Sequence, residues 1–216
     1  MKQKYLVVIS AVFLLIAFVA GAMYYQSRKA AAGAEAYQRD RSTYVRDYSP
    51  TRGDAAAKVE IVEFFDPACD TCKEFAPLVK KLMDAHPGRI RLVARYSPFH
   101  PNSDQVVKLL AAAHKQGKFW ETLDAVFAAQ SLWAPQHRPQ PELVWNYIGG
   151  VGLDIRRLRQ DMESPDIDKM IEQDLADGRK LNVKATPEFF VNGKPLPSFG
   201  YDQLKTLVED TVGSAY

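Results

Sequence analysis

The stretch FFDPACDTCKEF, residues 64–75, contains both cysteines of the chain, Cys69 and Cys72. Upstream, VEIVEFF (59–65) is a short, mostly apolar and β-rich run, typical of a strand buried on both faces. Downstream, apolar residues recur at helical spacing as far as Met83 and stop before an HPG turn. The cysteine pair is therefore predicted to lie at a strand-to-helix turn.

The rest of the body extends this pattern into an α/β fold. RIRLVARY (89–96) alternates as a second strand, which completes a βαβ unit. Several helical patterns and no convincing strand follow at about 102–183, far more than one crossover helix needs, so this segment is predicted to be a helical insertion. PEFFVNGKPL (187–196) predicts a strand and an Asn-Gly hairpin, and 201–212 predicts a closing amphipathic helix.

The N-terminus is of different composition from the body. An uncharged apolar run covers residues 5–25, long enough to cross a bilayer, so residues 1–26 are predicted to be a transmembrane anchor. A cleavable signal peptide is the alternative, because Ala-Gly-Ala at 20–22 resembles a cleavage site. Both interpretations carry the body across the membrane. We expect residues 27–57 to be a tether and residues 58–216 to form the folded domain.

Composition and charge narrow the class of protein. The chain has 216 residues, 47% of them hydrophobic, which is enough for one domain with its own core. Its net charge is +2, but the first 30 residues carry +4 and the remainder carries −2. A near-neutral body argues against a nucleic-acid partner, which needs a basic face. Beyond the cytoplasm the setting is oxidising.

The cysteine pair has four possible chemical interpretations. Structural zinc needs four ligands, and neither a second C-x-x-C nor a paired histidine spacing is present, so no metal is predicted. Haem attachment requires histidine where Lys73 stands. A disulfide across two residues is a poor structural crosslink, because closing a short loop stabilises least. Thiol–disulfide exchange remains, and it is the chemistry that C-x-x-C near a βαβ unit indicates.

The position predicts a division of labour between the two sulfurs. Free N–H groups and the helix dipole stabilise a thiolate at a helix N-terminus, so the pKa of Cys69 should fall. Cys72 lies one turn further in and should be less accessible. Exchange would then proceed through a mixed disulfide on Cys69, with Cys72 as the resolving thiol.

The motifs VEFFDPACDTC (62–72) and KATPEFFVNGKP (184–195) resemble the thioredoxin superfamily, and the helical insertion resembles its DsbA-type branch. The resemblance implies a thioredoxin fold with a helical insertion. It also implies that Pro187 is a cis proline beside the cysteines, and that Thr186 lines the site and offers backbone hydrogen bonds to a bound peptide. Glu63 matches a buried acid that would have a raised pKa and relay a proton to Cys72.

The direction of the reaction stays open at this point. DsbA-type oxidants typically have Pro-His between the cysteines, whereas this chain has Asp70 and Thr71. An aspartate beside Cys69 should disfavour its thiolate, which argues against a strong oxidant. Threonine before the proline is also more similar to the isomerase and reductase relatives.

The resulting hypothesis is an extracytoplasmic thiol:disulfide oxidoreductase that forms, reduces or isomerises disulfides in exported proteins. It would sit on the periplasmic side of the inner membrane, anchored by residues 5–25, or be soluble there if the segment is cleaved. A membrane redox partner would recycle the Cys69–Cys72 disulfide, and no other cofactor is implied. A tethered chaperone and a copper-handling thiol protein are the alternatives, since reduced cysteines bind Cu(I).

Overall fold

The computed structural model describes residues 2–216, without the side chains of residues 2–4, 6, 7 and 137. The body is built on one five-stranded mixed sheet in the order β1-β3-β2-β4-β5. Its strands are β1 (Thr51–Gly53), β2 (Val59–Phe65), β3 (Ile90–Tyr96), β4 (Glu188–Val191) and β5 (Lys194–Pro195). This is the thioredoxin fold that the sequence predicts.

Strand β2 is central, and all seven of its residues are buried. It runs parallel to β3 and antiparallel to β4, with Glu63 opposite Ala94 on one side and Phe189 on the other. Being covered on both faces explains its near-continuous apolar sequence. Its carboxyl end delivers the chain directly to the cysteine turn.

The helices are arranged around this sheet. Residues between β3 and β4 form six of them, and these helices pack into one apolar cluster with the cysteine turn. The helix bounds are α1 Lys2–Arg39, α2 Asp70–Ala85, α3 Ser103–Lys115, α4 Phe119–Ala128, α5 Gln130–Trp133, α6 Pro141–Val144, α7 Ile155–Met162, α8 Pro165–Lys180 and α9 Tyr201–Ala215. Phe119 and Trp133 are buried in this cluster, as expected of core aromatic residues.

The N-terminal helix α1 is long and apolar enough to cross a membrane, judged by the length and composition of its segment Val8–Arg39. Most of its side chains up to Tyr25 are exposed, as a lipid-facing surface would be. Met1, at the start of the predicted anchor, lies outside the described residues.

The interpretation of residues 27–57 as a tether is wrong. Helix α1 continues to Arg39, and β1 pairs with β3 at Thr51–Gly53. The buried side chain of Tyr37 explains the difference, because its ring packs edge-on against Tyr44, which in turn packs against Phe190 of β4. Packing against the body orders a segment whose own apolar pattern is poor.

A buried ion network fastens the helical insertion to the sheet. Arg95 of β3 is fully buried, and its guanidinium donates to Asp174 at 2.8 Å and Asp177 at 2.7 Å, both on α8. Its Nη1 also donates to the carbonyl oxygens of Thr43 and Tyr44. One side chain thus joins three segments that are distant in sequence.

Candidate active site

The cysteine turn follows β2 directly and opens α2. Cys69 is the N-cap residue of α2, and its carbonyl oxygen accepts the first helical hydrogen bond from Lys73 at 3.2 Å. Both cysteines are in the reduced form. Cys69 keeps 6% of its surface exposed and Cys72 none, so Cys69 is the sulfur that faces the surface.

The surroundings of Cys69 favour its thiolate. They lower its pKa from 9.0 to about 5, chiefly because the Cys72 thiol donates a hydrogen bond to its sulfur. Partial burial acts in the opposite direction, while a hydrogen bond from the Thr186 side chain and hydrogen bonds from the backbone N–H groups of Cys72 and Thr71 lower the pKa further. These N–H groups belong to the first turn of α2, so the helix N-terminus acts as the sequence predicts.

Cys72 has the opposite character. Burial raises the pKa of its thiol well above 9.0, and its hydrogen bond to Cys69 and the charge of Glu63 raise it further. Cys72 therefore stays protonated in the pH range where Cys69 is ionised. The two sulfurs differ in both exposure and acidity, which is what an attacking thiol and a resolving thiol require.

Glu63 lies on β2 beneath the cysteine pair. Burial raises the pKa of its carboxyl from 4.5 to about 8, and the charge of Cys69 raises it further. The carboxyl borders a cavity of about 400 Å³ between α2 and α4, whose walls include Lys73, Pro77 and Trp120. The cavity gives this buried acid a route to solvent.

Thr186 and Pro187 complete the cluster of predicted residues. The thiol of Cys69 donates to the carbonyl oxygen of Thr186 over 3.2 Å, and the Thr186–Pro187 peptide bond is cis. Pro187 is buried and Thr186 half-buried. The fold therefore brings Cys69, Cys72, Glu63, Thr186 and Pro187 to one end of the sheet.

Asp66 is a site residue that the sequence interpretation missed. Its fully buried carboxylate accepts from the backbone N–H of Phe99 at 2.7 Å, the N–H of His100 at 2.8 Å and the hydroxyl of Ser103 at 3.1 Å. His100 Nδ1 also lies 2.8 Å from it, so the side chain of this histidine joins the cluster around Asp66. The sequence signal for this role is that an acidic residue stands at position 66, directly after the strand and before the turn.

Gln130 is a second residue that sequence reasoning missed. Its fully buried amide, on α5, donates to the carbonyl oxygen of Pro67 at 2.9 Å and to that of Cys69 at 3.0 Å. The contact spans about 60 residues of chain, and a lone glutamine in a helical pattern gives no signal for it. The cysteine turn is therefore supported from behind by the helical insertion.

Asp70 does not keep the pKa of Cys69 high, as the sequence suggested it would. That pKa is lowered to about 5. Asp70 is exposed at the first position of α2, where solvent screens its charge. Hydrogen bonds from groups at the turn determine the acidity of Cys69.

The body of the chain is similar to proteins of the thioredoxin family. The family model described as Thioredoxin matches residues 46–210. A thioredoxin-like oxidoreductase from Silicibacter pomeroyi superposes with a TM-score of 0.69 at 30% identity, covering 81% of this chain and 96% of that one. Oxidised BdbD from Bacillus subtilis gives the same TM-score at 23% identity over 78% and 95% of the two chains, which shows a shared fold.

The curated relatives that match are much longer proteins. The Na(+)/H(+) antiporter NhaA of Herminiimonas arsenicoxydans is 33% identical over 145 residues, which are 67% of this chain and 22% of the antiporter. NhaA 3 of Salinispora tropica is 32% identical over 151 residues, again 22% of its length. This chain thus spans less than a quarter of those relatives.

Proposed function

We propose that this chain, which belongs to the thioredoxin family, is a membrane-anchored thiol:disulfide oxidoreductase whose working group is the Cys69–Cys72 pair. One observation carries the proposal: the sulfur that faces the surface, with a pKa of about 5, is hydrogen-bonded to a fully buried sulfur with a raised pKa. An inert crosslink has no need of this asymmetry, whereas disulfide exchange depends on it.

The reducing half-reaction begins at Cys69. Its thiolate attacks one sulfur of a client disulfide, a mixed disulfide forms, and the other client sulfur leaves as a thiolate that takes a proton from water. Cys72 then loses its proton and attacks Cys69, which releases the second client thiolate. The client gains two electrons and the enzyme is left with the Cys69–Cys72 disulfide. Oxidation of a client dithiol is the same sequence in reverse.

Glu63 is proposed to hold the proton that Cys72 gives up. A carboxyl with a pKa of about 8 is half-protonated at about pH 8, so in mildly alkaline solution it accepts and returns a proton at little cost. Its effect on the pKa of Cys72 indicates that the two groups interact. The adjoining cavity lets water exchange that proton with the solvent.

Thr186 and Pro187 are proposed to position the client. The Thr186 carbonyl oxygen lies 3.2 Å from the Cys69 sulfur, so a peptide bound there would place its own sulfur beside Cys69. Backbone hydrogen bonding of this kind is independent of the client side chain, which suits an enzyme that handles many sequences.

The proposed location is the extracytoplasmic face of the membrane, with the apolar part of α1 as the anchor. Its substrates there would be cysteine-containing exported proteins, and a membrane redox partner would restore the working form of the pair. The Cys69–Cys72 pair holds the two electrons as a dithiol and gives them up as a disulfide. The proposed reaction therefore requires no metal or organic cofactor.

Trapping of the mixed disulfide tests this function. The full-length Cys72→Ala variant is expected to accumulate client-linked adducts that dithiothreitol releases, whereas Cys69→Ser should form none and should lose insulin reduction. A client-binding chaperone would hold clients equally well in both variants and in reductant. A copper-handling protein would bind Cu(I) through both thiols and reduce no insulin. Either of these results would contradict the proposal.

A further inference from the structure

The anchor helix and the body share a groove at the level where the apolar run ends. Met23 and Tyr25 of α1 line one side of this groove, and Pro195, Pro197 and Leu207 line the other. Since Met23 lies within the apolar run, the boundary between lipid and water falls near this level. The body therefore reaches down to the membrane surface instead of being raised above it.

Close packing holds the two parts at this relative height. Gly33 of α1 approaches the hairpin so closely that a Cβ there would lie 2.5 Å from the carbonyl oxygen of Gly193 and 2.9 Å from Pro195 Cδ. Further along α1, Tyr37 Oη donates to Glu60 at 2.7 Å. The segment from Tyr25 to Arg39 rises roughly 20 Å as a helix, and it does so alongside the body.

We infer that residues 195–199 and Leu207 rest on the lipid headgroup layer, an inference that depends on the membrane location proposed above. Pro197 and Phe199 are exposed, and Phe199 retains 57% of its surface. The groove next to it is lined by Asp202 and Asp210, whereas Lys29 lines the groove shared with the anchor. Residues 195–199 and Leu207 are themselves uncharged, so the contact should form on neutral lipid.

This surface leads to the active site. The ring of Phe199 lies 5.1 Å from that of Phe75, and Phe75 follows Cys72 by one turn of α2. A body fixed in this way holds its thiols close to the membrane surface. The partners that fit this arrangement are membrane proteins with a dithiol or disulfide at the bilayer surface.

The contact can be measured by depth-dependent quenching in the full-length protein. Leu207→Trp and Ile155→Trp are reconstituted in neutral phosphatidylcholine vesicles, with and without brominated acyl chains that quench nearby tryptophan. Ile155 is an exposed residue of α7 and serves as the control. In vesicles with brominated chains, the fluorescence contributed by the tryptophan at position 207 is expected to fall at least twofold. The fluorescence contributed by the tryptophan at position 155 should change little. Equal quenching at the two positions, or none at 207, would overturn the inference.

Two assays on the same samples separate this inference from the proposed function. Flotation with the vesicles reports the anchor, and insulin reduction reports the redox activity. If flotation and insulin reduction are both intact and the tryptophan at 207 is not quenched, only the surface contact is contradicted. Loss of flotation or of reduction would instead contradict the proposed location or the proposed enzyme.

A pair of glycine variants tests what holds the body in place. Gly33→Val should displace the hairpin from α1 and reduce the quenching at 207, because the added side chain meets the hairpin backbone. Gly21→Val is the matched control, since a Cβ at Gly21 has no neighbour within 4 Å. Unchanged quenching in Gly33→Val would contradict the role of this close approach.

A separate observation assigns a positioning role to Gln130, again resting on the proposed exchange reaction. Its side-chain amide donates to two carbonyl oxygens of the cysteine turn, those of Pro67 and Cys69, while its own buried Oε1 has no partner among the described residues. Reversing the amide would set Oε1 against two carbonyl oxygens, so only this orientation is favourable.

We propose that Gln130 keeps these carbonyls turned inward, so that the N–H groups of Thr71 and Cys72 are the backbone dipoles directed at the Cys69 sulfur. Without it the thiolate is less stabilised and the reduced enzyme is less favoured. Gln130→Met keeps most of the volume and removes both donors. The equilibrium constant with glutathione is expected to move three- to tenfold toward the oxidised enzyme. This corresponds to a reduction potential about 15–30 mV more negative than that of the wild type.

Thr122→Val is the control, because Thr122 is equally buried and donates to a carbonyl outside the turn, that of Lys118. It should lose some stability and leave the glutathione equilibrium unchanged. Gln130→Leu, which also lacks the amide donors, provides a second variant if the methionine variant does not fold, and it should shift the equilibrium in the same direction. An equilibrium constant and a Cys69 alkylation midpoint equal to wild type in either folded variant would overturn the positioning role.

Discussion

The Cys69 sulfur lies 3.2 Å from the carbonyl oxygen of Thr186, although 117 positions separate the two residues in the chain. This contact joins the strand-to-helix turn that carries the thiols to the loop before β4. The Cys69 thiol is thereby placed beside the backbone segment that is proposed to bind the client. The chemistry and the proposed client contact thus share one place on the surface.

The acidity of Cys69 gives the first prediction. Alkylation of the reduced full-length protein by iodoacetamide should show a rate midpoint near pH 5, because only the thiolate reacts and its pKa is about 5. Cys72 should remain unmodified up to at least pH 8. Cys69→Ser provides the control and should abolish the fast reaction. A midpoint near pH 8.5, the ordinary value for a thiol, would contradict the stabilised thiolate.

Glu63 should make stability depend on pH. Its pKa is about 8 in the folded protein and near 4.5 when unfolded, so the folded state binds more protons between these values. The free energy of unfolding contributed by this group therefore decreases as pH rises from about 4.5 to 8. Denaturant unfolding of reduced Glu63→Gln should lack this decrease, and the difference from wild type should reach up to roughly 4–5 kcal/mol above pH 8.

The matched control for this effect is Glu74→Gln, an exposed position on α2. It should follow the wild-type pH dependence. Glu63→Gln should also slow disulfide exchange, since the proton acceptor for Cys72 is gone. A variant at Glu63 with unchanged exchange rates from pH 6 to 9 would contradict the proton relay.

The buried network of Arg95 should be required for stability and dispensable for the redox chemistry. Arg95→Met leaves the carboxylates of Asp174 and Asp177 without their buried partner, which should cost about 3–5 kcal/mol of unfolding free energy. Arg156→Met, at an exposed position, should change it by less than about 0.5 kcal/mol. The folded Arg95 variant should keep the wild-type alkylation midpoint at Cys69, and a shifted midpoint would show that the network reaches the active site.

Asp70 should have little influence on the thiol equilibrium. Asp70→Asn is expected to change the equilibrium constant with glutathione by less than twofold, which is under about 10 mV, because hydrogen bonds at the turn set the acidity of Cys69. A shift of tenfold would restore the argument that the sequence first suggested.

The central part of the fold could be predicted from the sequence because the patterns that indicate it are local. An apolar run ends at a C-x-x-C and a helix begins, and an Asn-Gly turn marks the hairpin, so the strand around Glu63 and the turn at Cys69 follow from spacing alone. The resemblance to thioredoxins then linked Thr186 and Pro187 to the cysteines. No local pattern links residues so far apart.

What the sequence did not predict depends on contacts between distant segments. The helical course of residues 27–39 relies on Tyr37 packing against the body, and β1 exists because three residues pair with β3. Gln130 contacts the cysteine turn, and His100 contacts Asp66, only once the chain is folded. The sequence places Asp70 beside Cys69 but does not show the hydrogen bonds that lower the pKa of Cys69.

The reduction potential of the full-length protein, equilibrated with glutathione in detergent, tests the account most directly. Thioredoxin combines a thiol pKa of about 7 with about −270 mV, and DsbA combines about 3.5 with about −120 mV. At about 30 mV per pKa unit, a Cys69 pKa of about 5 predicts a potential between roughly −210 and −165 mV. A value in that range supports a Cys69–Cys72 pair whose reduction potential lies between those of thioredoxin and DsbA. A value near −270 mV or near −120 mV would contradict the thiolate stabilisation on which the proposed function depends.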